Sequence, residues 1–222
     1  ESFKDETGKR YQTGQHTAKM GALCMIDDMA RLQESYDLCQ KLGMDSISLG
    51  SALAFAMEAF ERGLITVKDT DGLDLAWGNS EAMLQLTEKT GRQEGFGKLL
   101  GAGVKGMADY LGEEAQDFAV HIKGNDPTLQ DFRAWNAGAV ENVTCSRGAH
   151  HFEGLTLAIQ TMGVDFSRWG DFPRDPLAFK GQGPLTAFAQ NFGVMVDSLI
   201  VCKFLMGATT TGQINSPPEH AL

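Results

Sequence analysis

Cysteine is scarce in this chain. The four cysteines lie at positions 24, 39, 145 and 202, and no two form a CxxC pair. A disulfide-stapled secreted scaffold is therefore excluded, and reduced thiols in a cytoplasmic protein are expected. Positive charge is also short, with 19 Lys and Arg against 29 Asp and Glu, a net charge of -10 and a pI near 4.9. An acidic surface repels phosphate backbones, so nucleic acid is not an expected partner. Long apolar runs are missing too. The longest candidate, Phe192 to Met206, is interrupted by Asp197 and Lys203, short of the roughly 18 residues a membrane span needs. Hydrophobic residues at 42% and charged residues at 22% describe a globular chain with a sizeable core.

Helical periodicity dominates. From Asp27, apolar residues recur at Met29, Leu32, Tyr36, Cys39 and Leu42, with Gly43 as a stop. Asp45-Ser46 caps a second helix that runs to about Arg62. The aspartates at 69, 71 and 74 mark a loop, Asn79-Ser80-Glu81 opens a third helix, and a fourth is expected from Phe96 to Leu111. Residues 1 to 20 read as irregular, 118 to 123 as a strand, and 124 to 150 and 163 to 184 as loop. A short helix is expected around Glu153 to Thr161 and a final one from Leu185 to Met206. No repeat and no alternating strand–helix rhythm occurs, so the class is mainly α.

Several motifs have plain readings. Gly101-Ala-Gly103-Val-Lys-Gly106 fits GxGxxG, but lies within an amphipathic helical pattern with no strand before it, which favours close packing over nucleotide binding. Asp69, Asp71 and Asp74 lack the distal Glu of a calcium loop and read as a solvated turn. Asn142-Val143-Thr144 matches a glycosylation acceptor, a tripeptide common by chance. His150 and His151 are adjacent and point apart on most backbones, which disfavours a shared metal, although either could carry a proton. Cys202 lies in an apolar helical stretch, where a lone cysteine is usually core.

Read as consecutive strings, the chain resembles the aldehyde ferredoxin oxidoreductase family over roughly residues 20 to 205. Leu38-Cys39-Gln-Lys-Leu-Gly43-Met-Asp45-Ser-Ile-Ser48 is similar to that family's Cys-Asp-x-x-Gly-Leu-Asp-Thr-Ile-Ser. Ala54-Phe-Ala-Met-Glu58, Arg62-Gly-Leu-Ile65, Asp71-Gly72, Trp77-Gly-Asn79 and Glu94-Gly-Phe-Gly97 follow in family order, then Lys123-Gly124 and Asp131-Phe-Arg133. Thr144-Cys-Ser-Arg147-Gly-Ala-His-His151 resembles Thr-Ser-x-Arg-Gly-Ala-Cys-His, and Asp197-Ser-Leu-Ile-Val-Cys202-Lys-Phe204 resembles Asp-x-x-Gly-Leu-Cys-x-Phe.

The resemblance implies the multihelical C-terminal domains of that family, one over 1–122 and a second, C-terminally truncated, over 123–222. The cofactor-binding sheet domain and its CxxCxxxC run would lie before residue 1. It implies a paired pterin holding tungsten or molybdenum, a 4Fe-4S cluster, ferredoxin as electron partner and a small aldehyde as substrate. Residue by residue, Asp197 and Arg147 would contact pterin, as would Gln40 and Asp45. Cys202 would ligate iron, and His151 would move protons near the metal. The family's metal-proximal Glu is replaced by Gln15, or by Gln12 on a shifted alignment, and an amide is no general base. Gln40 stands for an Asp, His150 for a Cys, and Ile200-Val201 for Gly-Leu. These departures make a divergent substrate, a tungsten-dependent reductase of aromatic acyl thioesters or a non-catalytic scaffold the rival expectations. A piece lacking its N-terminal partner would expose apolar faces and self-associate, a homodimer being the simplest form.

Overall fold

The computed structural model describes residues 2–203 apart from 5, 13, 162–165 and 168. These fall into two compact units, residues 1–129 and 130–222. The chain is mainly α, as its periodicity and the family resemblance both predict.

Unit 1 opens with a small antiparallel hairpin, β1 (Ser2–Lys4) and β2 (Arg10–Gln12), in which Phe3 pairs with Tyr11. Helix α1 (Gln15–Cys24) follows directly. An irregular segment was expected here. The apolar stripe of α1 is disguised because Lys19 and Gly21 occupy buried positions beside Met20 and Cys24. Helix α2 (Met29–Leu42) starts where the Asp28 carboxylate accepts from the amides of Ala30 and Arg31, and ends at Gly43 in the left-handed region. Helix α3 (Ser46–Glu61) is capped by Asp45, and α4 (Ser80–Arg92) by Asn79. Asp69 and Asp71 fold the intervening turn. Asp69 accepts from the Thr66 amide and hydroxyl, and Asp71 pairs with Lys89 at 2.8 Å and accepts from the Phe96 amide.

The fourth expected helix is two, α5 (Gly95–Leu100) and α6 (Gly103–Leu111), followed by the short α7 (Glu113–Gln116). Gly103 breaks it at φ 73°, a conformation a side chain resists. The GxGxxG string thus contains a helix break, while its third glycine serves close packing, since a Cβ on Gly106 would come within 2.6 Å of the Ala102 Cβ. Residues 118 to 123 form no strand, only a single bridge from Ile122 to Asn125. Phe118 instead stacks on Phe55 of α3 at 4.8 Å, so its apolarity serves packing on a helix. Helix α1 packs on α3, α2 on α4, and α6 on α3. Leu53, Met57, Met83, Leu86, Leu100 and Met107 fill one continuous apolar core.

Unit 2 contains a 3-10 turn (Phe132–Ala134) and helices α8 (Asn136–Thr144), α9 (Thr156–Thr161) and α10 (Gln182–Ser198). Helix α8 lies where loop was expected. Its buried stripe is Ala137, Gly138, Glu141 and Asn142, whose small and polar residues carry little helical signal. Asn142 is fully buried and donates to the Gly138 carbonyl, which bars glycosylation of the folded chain there. Helix α10 ends earlier than the apolar pattern suggests, because Leu199 caps it and Ile200 turns left-handed at φ 55°. Residues 204 to 206 of the expected helix lie outside the described part. The core is aromatic: Phe166 meets Phe188 and Phe192 edge-on, and Trp135 is buried with Leu185 and Ala189.

Candidate functional site

Unit 2 builds a braced loop between α8 and α9. After α8, Gly148 and Ala149 take left-handed backbones at φ 81° and 51°, and Leu155 does so at 61°. Such turns need outside support, and two carboxylates give it. Fully buried Glu141 accepts from the amides of Gly154 (2.8 Å) and Thr156 (3.1 Å) and from the Thr156 hydroxyl. Glu153 accepts from the amide and hydroxyl of Ser146. Helix α10 then closes on the loop through Gly193, where a Cβ would lie 1.8 Å from the Glu153 carbonyl oxygen. Burial pushes the Glu141 carboxyl above its ordinary value, even though its three donors pull the other way.

Beyond α10, Lys203 ties the site shut. Its ammonium pairs with Asp197 at 2.9 Å and donates to the Phe152 carbonyl. His150 feels Arg147, Lys203, Glu153 and Asp197 together, and its pKa is lowered chiefly by burial and then by the two cations. His151 is 9% exposed, with its ring 4.3 Å from that of Phe152 and its buried Nε2 without a hydrogen-bond partner among the described residues. Burial first, then His150 and Arg147, lowers its pKa to about 4. Four residues singled out by the sequence, Arg147, His150, His151 and Asp197, thus share one locale, with the exposed thiol of Cys202 beside Lys203. Cys24 and Cys39 differ from Cys202 in being buried, and burial pushes both thiols up to about 12, which makes them inert core groups.

The other sequence candidates lie in unit 1. Gln40 is exposed near the end of α2, and Asp45 follows across the Gly43 turn. Each Asp45 oxygen accepts one local donor at 2.9 Å, the Ile47 amide and the Ser48 hydroxyl, and keeps capacity for another. Asp45, Ser48, Thr90 and Gln93 line a cavity of about 360 Å³ with Gly101 and Gly103. Leu42, Met44, Leu49 and Leu100 complete that wall, and a flat heteroaromatic ring with N–H and C=O groups on its edge fits such a mixture of apolar and polar surface. Gln15 opens α1, but its side chain, like that of Gln12, lies outside the described part. Among the described residues no three His, Cys, Asp or Glu gather as a metal site, and no helix is long and apolar enough to cross a membrane.

Sequence reasoning passed over Glu141, Lys203 and Lys19. A charged residue on the buried stripe of a short helix was the available signal for Glu141 and Lys19. Lys203 carries no such signal, because its role depends on the chain turning back at Ile200.

Comparison with known proteins speaks to the family of the chain. The sequence model described as aldehyde ferredoxin oxidoreductase, domains 2 & 3, matches residues 2–219. The tungsten-containing aldehyde ferredoxin oxidoreductase of Pyrococcus furiosus is 28% identical over 83% of this chain, which spans 30% of that relative's length. The aliphatic sulfonate oxidoreductase, WOR-like subunit, of the same organism is 36% identical over 39% of this chain and 14% of its own length. A solved active site complex BamBC of benzoyl coenzyme A reductase, in complex with 1,5 dienoyl-CoA, is similar over 69% of this chain and 24% of that one, at 23% identity and a TM-score of 0.49. With the family model matched from residue 2 to residue 219, the chain belongs to the aldehyde ferredoxin oxidoreductase family and corresponds to its domains 2 and 3.

Proposed function

We propose that this chain supplies the helical half of a tungsten- or molybdenum-pterin site in an oxidoreductase that converts small aldehydes to carboxylic acids and passes two electrons, by way of a 4Fe-4S cluster, to ferredoxin. The observation that carries this reading is the braced loop of unit 2, which brings Arg147, His150, His151 and Asp197 together with Lys203 and leaves the buried His151 Nε2 without a partner among the described residues. When bound, the metal-pterin supplies the two-electron redox chemistry. In unit 2, Asp197 would accept hydrogen bonds from the N–H groups of one pterin and Arg147 would donate to carbonyl or phosphate oxygens; in unit 1, Asp45 would accept from the N–H groups of the other pterin. Cys202, exposed at the end of α10, offers a thiolate to iron.

Aldehyde plus water gives carboxylic acid, two protons and two electrons, so a proton acceptor is required. With a pKa of about 4, His151 is neutral at pH 7 and can accept a proton at Nε2. An anionic group seated beside it would raise that pKa toward neutrality and improve the match to its task. Lys203 and Glu141 act through the loop, fixing where His151 stands.

One observation favours a second reading, reduction of an aromatic acyl thioester. The sequence has Gln15, or Gln12 on the shifted alignment, where the family resemblance implies a carboxylate base for aldehyde hydration. Turnover of the full-length protein with both substrate classes separates the two. In either case His151→Ala lowers turnover by about 100-fold or more, the usual range for a lost acid–base group; unchanged turnover would return His151 to a packing role. Cys202→Ala abolishes the iron–sulfur absorbance, and retention of the full cluster would remove Cys202 from the ligand set.

A further inference from the structure

Lys19 is the anomaly of unit 1. It lies on α1, is only 2% exposed, and passes beneath α3, where its Cγ would be 3.2 Å from a Cβ on Gly50. Burying an ammonium is costly unless its charge is paired and its donors are used. Here one donor reaches the Pro127 carbonyl, and among the described residues the ammonium has no other acceptor. The carboxylates that face it, Asp126 from the 124–129 loop and Asp45 from the head of α3, act through space rather than in an ion pair. Asp126 is itself pushed toward its neutral form by burial. The cation is therefore left two donors and part of a counter-charge short.

Lys19 and Pro127 stand on the wall of a cavity of about 320 Å³, within the range of small-ligand pockets. The rest of that wall is mostly apolar, with Leu23, Phe55, Trp77 and Phe118 prominent. At its edge Glu58, the other charged group on the wall, is neutralised by Arg62 at 2.6 Å. The Arg62 guanidinium also lies 4.5 Å above the Phe118 ring, so the ion pair leaves Lys19 as the uncompensated charge on the wall.

We propose that this cavity binds a small monocarboxylate with an aromatic or branched-alkyl body, its carboxylate on Lys19 and its body against Phe55, Trp77 and Phe118. A carboxylate supplies the two acceptor oxygens and the negative charge that Lys19 lacks, whereas a carbonyl supplies one acceptor and no charge. The site is complete within unit 1, and none of the residues assigned to the cofactor lines the cavity. Asp45 acts on Lys19 only through space, and the chain is tested free of metal and pterin, so the proposal stands or falls independently of the oxidoreductase reading.

The test is calorimetric titration of the whole chain, free of metal and pterin, with phenylacetate and with its neutral isostere phenylacetamide. Phenylacetate is expected to bind at least about tenfold more tightly. Lys19→Met, which keeps the stem and removes the charge, is expected to abolish that difference while phenylacetamide binding persists as a check on the fold. Ala54→Phe, which fills the cavity from α3, is expected to abolish both. Should Lys19→Met fail to fold, the unmodified protein decides. Phenylacetate affinity is expected to fall about tenfold per pH unit once Lys19 loses its proton above its pKa of about 8, while phenylacetamide affinity stays flat. Equal binding of the two ligands, an unaltered preference in Lys19→Met, or a phenylacetate affinity constant from pH 7 to about pH 10 would each overturn the proposal.

Discussion

Unit 1 and unit 2 are both helical, yet they are held together differently. Unit 1 packs a continuous apolar core, in which Leu53, Met57, Met83, Leu86 and Met107 are almost wholly buried. Unit 2 has a smaller aromatic cluster and relies on buried polar groups: Glu141 on the 154–156 amides, and the Gln160 side-chain amide on the Pro173 carbonyl and on Gln182. Apolar packing is non-directional and tolerates change, whereas a buried hydrogen-bond network demands one geometry and fails sharply when a member is lost. The half with the stricter interior is also the half whose loop carries His150 and His151. Position there is set by acceptors and donors, and so is sensitivity to protons.

The largest effect that would break this contrast is expected at Glu141. Glu141→Ala strands the buried amides of Gly154 and Thr156 and should cost unit 2 about 4 kcal/mol. In a Trp77→Phe background, fluorescence of Trp135 and Trp169 reports on unit 2 alone, and its denaturation midpoint should drop while unit 1 holds. A midpoint unchanged from that background would mean the carboxylate is not the brace described.

Acid comes next. The folded-state pKa of His151 is depressed from 6.5 to about 4, so between those values the unfolded chain takes up a proton that the folded unit refuses. Its contribution is complete above pH 6.5 and is lost as pH falls toward 4, by about 3 kcal/mol at most. Denaturation of unit 2 followed across that window should show the loss, and His151→Asn should flatten it. An equal slope in the variant would assign the acid sensitivity elsewhere.

Smaller effects are expected in unit 1. Ser35 and Thr87 share a buried hydroxyl contact of 2.7 Å, but Thr87 also donates to the Met83 carbonyl. Ser35→Ala should therefore cost only about 1 kcal/mol by thermal denaturation. Asp45→Ala should cost a similar amount as a lost cap, and Asp45→Ser almost nothing, because serine caps as well. If Asp45 also holds pterin, Asp45→Ser in the full-length protein lowers pterin content without lowering stability. Loss of neither would leave Asp45 as a cap alone.

Helices with strong punctuation were legible in the sequence. Asp28, Asp45 and Asn79 cap, and Gly43 stops, because each satisfies helix-end groups through its own side chain or backbone freedom. Helices α1 and α8 were hidden because their inward faces carry Lys19 and Glu141, charges whose burial depends on partners distant in sequence, Pro127 for one and Thr156 for the other. The break at Gly103 and the turn at Ile200 were equally invisible, since both are backbone conformations set by what packs beside them. Among candidate site residues, Arg147, His151, Asp197 and Cys202 came from the string resemblance. The struts that position them, Glu141 and Lys203, needed coordinates.

The most direct test of the central claim is metal and pterin analysis of the full-length protein, purified without oxygen from cells supplied with tungstate and molybdate. The account predicts about one tungsten or molybdenum per chain with pterin, accompanied by about four irons. A folded protein that carries neither metal nor pterin would contradict it, and would make these helices a scaffold.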